Sequence, residues 1–149
     1  MATVLLVRGI PASGKTTYGN RLANQLKCTA HEYGEADDEH ACIQKAIETM
    51  EFSGEEETVL IANFTRCSDI MPIVEAFSQR YDTCDFQFYV ATEGNGQSTN
   101  VAMSTIDRMK MNFQTNEDVI RDLNRRYQQH RYFDCFQPKQ PRPTTKRRS

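Results

Sequence analysis

At 149 residues the chain suits one domain with a single core and is too short for two. Its hydrophobic share of 38% and charged share of 26% are ordinary for a protein that folds in water, and the net charge of −2 hides a strong asymmetry along the chain. No apolar run reaches the roughly 20 residues that a helical bilayer crossing needs, so no membrane partner is expected, and the apolar stretch at 4–7 is too short for the core of a signal peptide.

In chain order, residues 4–7 (VLLV) form an unbroken apolar run that suits a buried central strand of a parallel sheet. Residues 9–14 read as a loop, and 15–27 as a helix with Leu22 and Leu26 on one face. Residues 28–33 make a short, weak strand. An acidic stretch follows: between Glu32 and Glu57 there are ten acids and one base, Lys45. Within it, residues 39–50 bring Ile43, Ala46, Ile47 and Met50 to one helical face. Val59, Leu60 and Ile61 repeat the buried-strand pattern over 58–62.

Residues 69–80 read as a helix capped by Asp69, which puts Pro72 in the first turn, where a missing N–H is harmless. Residues 85–91 alternate Phe86, Phe88 and Val90 as a strand, and 92–99 is a polar, glycine-containing loop. A helix over 102–113 and a second opened by Thr115-x-x-Asp118 complete the pattern. From Pro138 to Ser149 there are five bases and no acid, in a proline-rich segment that cannot pack. The expected organisation is one domain over 1–136 and a disordered basic tail over 137–149, which could hold phosphate backbones without regard to sequence. Strands alternating with helices predict an α/β fold, a three-layer α/β/α sandwich with a mostly parallel sheet.

Five cysteines with no C-x-x-C spacing predict reduced, mostly buried thiols and a cytoplasmic setting rather than a disulfide framework or zinc site. Nothing in the sequence specifies the oligomeric state.

The sharpest signal is GIPASGKT at 9–16, which fits G-x-x-x-x-G-K-[ST] at every fixed position, between a predicted buried strand and a predicted helix. The loop formed by Gly9, Pro11, Ala12, Ser13 and Gly14 can curl so that amide N–H groups converge on phosphate oxygens, with the positive end of the helix behind them. Lys15 supplies a movable ammonium for the outer phosphates, Thr16 a hydroxyl for Mg²⁺, and Thr17 a contact to the innermost phosphate. The expected ligand is a nucleoside triphosphate, ATP, with Mg²⁺; no residue specifies adenine over guanine.

Residues 4–23 (VLLVRGIPASGKTTYGNRLA) with Tyr18, His40-Ala-Cys42, Val59-Leu-Ile-Ala-Asn63-Phe64-Thr65, Ile106-Asp-Arg108-Met109 and Phe113 resemble the polynucleotide-kinase-like P-loop kinases and their AAA-type ATPase relatives, over roughly residues 3–114. The resemblance implies a P-loop NTPase of kinase-like fold and in-line transfer of a γ-phosphoryl group to a polynucleotide 5′-hydroxyl or a nucleotide-like acceptor. It also implies a carboxylate base just after the second strand. Glu35, Asp37 and Asp38 are the candidates, Asp37 the favoured one by similarity to the family's D-D pair, and Asp37 is further a candidate beside Thr16 at the metal. Asn63 falls where ligands gather in such sheets.

Two features depart from that family. The stretch between Asp38 and the next helix lacks the usual insertion, and no arginine lies between Arg21 and Arg66. The loop 92–99 has no Lys or Arg. A second cation at the transferred phosphoryl group is worth about a thousandfold or more in rate, and Arg66 and Arg108 are the remaining candidates. The alternative expectation is therefore an ATP-binding pseudo-kinase or slow NTPase acting as a regulatory module.

Overall fold

The computed structural model describes residues 2–10, 13–34, 36–91, 103–127 and 131–136. Five strands, β1 (Ala2–Arg8), β2 (Ala30–Glu32), β3 (Glu57–Ala62), β4 (Cys84–Val90) and β5 (Arg131–Phe136), form one parallel sheet in the order β2-β3-β1-β4-β5. The helices are α1 (Lys15–Leu26), α2 (Glu39–Ser53), α3 (Cys67–Arg80), α4 (Met103–Asn112) and α5 (Asn116–Arg126). No helix among the described residues is long and apolar enough to cross a membrane.

The apolar run that predicts a central strand does sit at the centre. β1 pairs with β3 (Leu5 with Val59, Leu6 with Leu60) and with β4 (Leu6 with Phe88), and all seven of its residues are buried. Strand periodicity divides its side chains between two cores. Leu5 and Val7 join Tyr18, Leu22 and Ala23 of α1, with Val59, Ile61 and Tyr89. Val4 and Leu6 face the larger core that α2, α3 and α5 build from Ile43, Ile47, Met50, Val74, Phe77 and Leu123. Helices thus cover both faces of the sheet, the three-layer α/β fold that the alternation predicts. On the α1 side the approach is close: a Cβ on Gly19 would collide with the Ile61 side chain.

Several boundaries differ from expectation. The helix expected from 69 begins at Cys67, with Arg66 in the cap position. Asp69 is its third residue: its carboxylate accepts the Arg66 N–H at 3.1 Å, and its own N–H donates to the Arg66 carbonyl at 2.9 Å. Pro72 therefore lies in the second turn, where it withholds an amide from the carbonyl four residues back. α2 continues to Ser53 and stops at Gly54, whose φ of 73° suits a residue without Cβ. Thr115 caps α5 as its motif predicts, accepting the Asp118 N–H at 3.1 Å.

β5 has no counterpart in the sequence reading. Its charged Arg131 and Asp134 interrupt any apolar run, and Tyr132 is half exposed. What holds it is tertiary: it pairs with β4, and Phe133 stacks on Phe86 with ring centroids 5.4 Å apart.

Candidate functional site

The site lies at the carboxyl ends of β1, β2 and β3. The loop after β1 turns back on itself: the Ser13 N–H donates to the Ile10 carbonyl at 3.2 Å, and a Cβ on Gly9 would collide with Ser13 Oγ. Gly14, at φ 88° and ψ 13°, leads into α1, a left-handed conformation that glycine adopts without strain. Ser13 is buried, and its Oγ has no hydrogen-bond partner among the described residues. Pro11 and Ala12 lie outside the described residues.

Lys15 is the first residue of α1, and its Nζ donates to the Ile10 carbonyl at 3.4 Å across the loop. Burial pushes its ammonium below the ordinary lysine value, and the Glu32 carboxylate opposes that shift. Thr16 and Thr17 are exposed at the head of the helix. A curled backbone, an ammonium and a helix N-terminus together make a rim suited to an anion.

The structure adds Glu32, which the sequence reading did not single out. Thr16 Oγ1 donates to Glu32 Oε2 at 2.7 Å, bringing the last residue of β2 to the first turn of α1. Glu32 is thus a carboxylate in contact with Thr16, while Asp37 takes up the Gly34 N–H in the turn that follows. Hydroxyl and carboxylate oxygens are the hard donors that Mg²⁺ prefers. The available signal was the strand end itself, where ligands gather in parallel sheets.

The next residue, Tyr33, enters a cavity of about 150 Å³. Asp37, Glu39, Asn63, Phe64 and Asp69 also line it. Asp37 Oδ2 accepts the Gly34 N–H at 2.7 Å, closing the turn after β2. Asp38 caps α2, accepting the Ala41 N–H at 3.1 Å, and is not among the cavity-lining residues. Glu35 lies outside the described residues. Burial, and then the nearby Asp69, raise the Glu39 carboxyl above the usual range. Cavity and loop meet at Asn63, which lines the cavity while its carbonyl accepts the Gly9 N–H at 3.4 Å.

Two features hold this wall. Phe64 adopts φ 45°, which strains a bulky residue by roughly 1–3 kcal/mol and persists only where the surroundings impose it. Its buried ring meets Tyr33 edge-on at 5.9 Å, and its carbonyl accepts the Arg8 Nε–H at 2.9 Å. Arg8 itself is wholly buried. It also donates to the carbonyls of Thr65 (3.3 Å) and Gln114 (2.8 Å) and to Asn116 Oδ1 (2.5 Å), and it lies 4.4 Å from the centroid of the Phe113 ring. Burial brings the guanidinium down to about 10, with Asp69 and Cys67 opposing, so it stays charged near neutrality.

Arg66 donates from Nη1 to the Asn112 carbonyl at 3.1 Å, at the end of α4, and Arg108 is exposed on the same helix. The loop 92–99 and the tail 137–149 lie outside the described residues.

No family model and no curated protein matches the sequence. Among solved structures the chain is similar to a sugar kinase from Janibacter sp. HTCC2649, crystallised without ligand, with a TM-score of 0.50 and 12% identity over 95% of this chain and 88% of that one. At that identity the likeness is one of fold alone.

Proposed function

We propose that this protein transfers the γ-phosphoryl group of ATP, with Mg²⁺, to a hydroxyl compound held in the cavity beside the loop. The observation that carries the proposal is Asn63, which ties the two together: its backbone anchors Gly9 while the residue itself lines the cavity. A molecule in the cavity would therefore lie next to one bound at the loop.

In the proposed reaction the acceptor oxygen bonds to the γ-phosphorus as the bond to the β–γ bridging oxygen breaks, the hydroxyl proton passes to Asp37, and ADP leaves. Lys15 would orient the outer phosphates. Thr16 and Glu32 would hold Mg²⁺, which neutralises charge on the phosphates when bound. The polynucleotide 5′-hydroxyl implied by the family resemblance belongs to the same reaction class. Three carboxylates around the cavity disfavour a phosphate backbone and favour a small acceptor.

A specific observation supports the slower alternative, an ATP-binding regulatory module. Arg8 and Arg66 are both committed to backbone carbonyls, which leaves Lys15 as the cation on the described rim of the loop.

Incubation with γ-labelled ATP, Mg²⁺ and a panel of hydroxyl acceptors, a 5′-hydroxyl oligonucleotide among them, tests the proposal. Wild type should label an acceptor, while Lys15→Ala and Asp37→Asn should not. Tight ATP binding with no label on any acceptor would overturn the kinase reading and leave the regulatory one.

A further inference from the structure

We infer that the cavity lined by Tyr33, Asp37, Glu39 and Asp69 binds a small amino alcohol, whose ammonium group sits among the carboxylates. The inference deepens the proposed transfer and rests on it for treating this cavity as the acceptor site.

The charge around the cavity is one-sided. Three of its described lining residues are carboxylates and none of the described ones is basic; the buried cation Arg8 lies behind the wall and is held by backbone carbonyls. The positive end of α2 is already met by Asp38, which takes up the Ala41 N–H. An anionic acceptor would face this field unpaired, whereas an ammonium brings donors and no acceptor.

The wall also holds polar atoms that lack partners. Tyr33 is only 7% exposed, and its hydroxyl makes no hydrogen bond among the described residues; Glu39 Oε1 is likewise buried and unpartnered. Buried polar groups are normally satisfied, so an unpartnered atom on each of two residues that line one cavity is the feature a ligand with matching groups would answer. Glu39 would accept from the ammonium, and Tyr33 would bond an oxygen of the same molecule. The rings of Tyr33 and Phe64, crossed at 84°, add aromatic surface of the kind that attracts a cation.

The volume of about 150 Å³ leaves room for a molecule of roughly six heavy atoms, the size of an amino diol.

The test uses an isosteric pair, 3-amino-1,2-propanediol and glycerol, with the full chain. Calorimetry with a non-hydrolysable ATP analogue and Mg²⁺ should give the amine roughly tenfold or more the affinity of glycerol, the effect of one charge-assisted hydrogen bond. Glu39→Gln should erase that preference, and Tyr33→Phe should weaken both ligands. Circular dichroism establishes that each variant is folded. Equal affinity for the pair, no binding of either, or a preference that survives Glu39→Gln would overturn the inference. Selective amine binding without phosphoryl transfer from ATP would uphold the site and overturn the proposed reaction. Transfer to glycerol as efficient as to the amine would do the reverse.

Discussion

Arg8 and Asn116 are 108 residues apart in sequence, and in the fold the guanidinium Nη1 donates to the Asn116 side-chain oxygen at 2.5 Å. With the Phe64, Thr65 and Gln114 carbonyls, this contact forms a cage of neutral acceptors around a buried charge. It fastens the corner between α4 and α5 to the strand end that carries the loop. Cutting this charge out leaves several buried acceptors orphaned. Arg8→Met should therefore lose at least about 1–3 kcal/mol in urea unfolding. Arg8→Lys should not restore the loss, because an ammonium cannot reproduce the planar fork. An unchanged midpoint in Arg8→Met would refute the cage.

Gly9 and Gly19 should respond differently to alanine. At Gly9 the added methyl meets Ser13 Oγ and crowds its Cβ inside the turn, so the Ser13 side chain must swing away and the turn must shift by a few tenths of an ångström. ATP affinity should then fall at least about tenfold while the unfolding midpoint moves little. At Gly19 the methyl meets the Ile61 side chain within the sheet–helix interface, and overpacking of this kind costs about 1–3 kcal/mol. Calorimetry and urea melts on the two variants separate these effects.

Lys15→Ala should abolish tight ATP binding and leave the fold intact, because among the described residues its side-chain hydrogen bond is a long one to the Ile10 carbonyl. Unchanged affinity would count against the loop as the nucleotide site. Glu32→Gln should act through the metal, raising the Mg²⁺ concentration for half-maximal ATP binding by roughly tenfold or more, since a charged oxygen ligand becomes a neutral one. Titrating Mg²⁺ at fixed nucleotide reads this directly.

Cys84 gives a pH dependence. It is buried, its Sγ faces the Phe77 and Tyr81 carbonyls, and burial pushes the thiol from 9.0 up to about 11. Between those values the unfolded chain releases a proton that the folded chain keeps. The stability this group contributes is therefore complete below pH 9 and is lost as pH rises through 11, by about 2–3 kcal/mol. Urea melts at pH 8 and pH 10.5 should show the loss, and Cys84→Ala should remove this part of the slope. A disulfide reagent at pH 8 should modify the half-buried Cys42 well before Cys84.

Much of the architecture is written locally. An unbroken VLLV run before a glycine-rich turn can hardly be other than a strand buried on both faces, and the spacing of Ile43, Ile47 and Met50 admits one helical face. The helix start at Cys67 was harder to read, because Asp69 acts from the third position of a reciprocal cap and not from the cap itself. β5 was illegible because an edge strand with charges at two of six positions is held by pairing with β4, which no local pattern records.

The loop motif, its strand and helix, and the acidic stretch after the second strand are legible along the chain, since each depends on adjacent residues. Which acids gather was decided by tertiary structure alone. Sheet order brings Glu32 to Thr16, and the packing of α2 and α3 brings Glu39 and Asp69 to one cavity while Asp38 turns aside to cap a helix. Those encounters span tens of residues and follow from how helices close over a sheet, so neither composition nor spacing could have shown them.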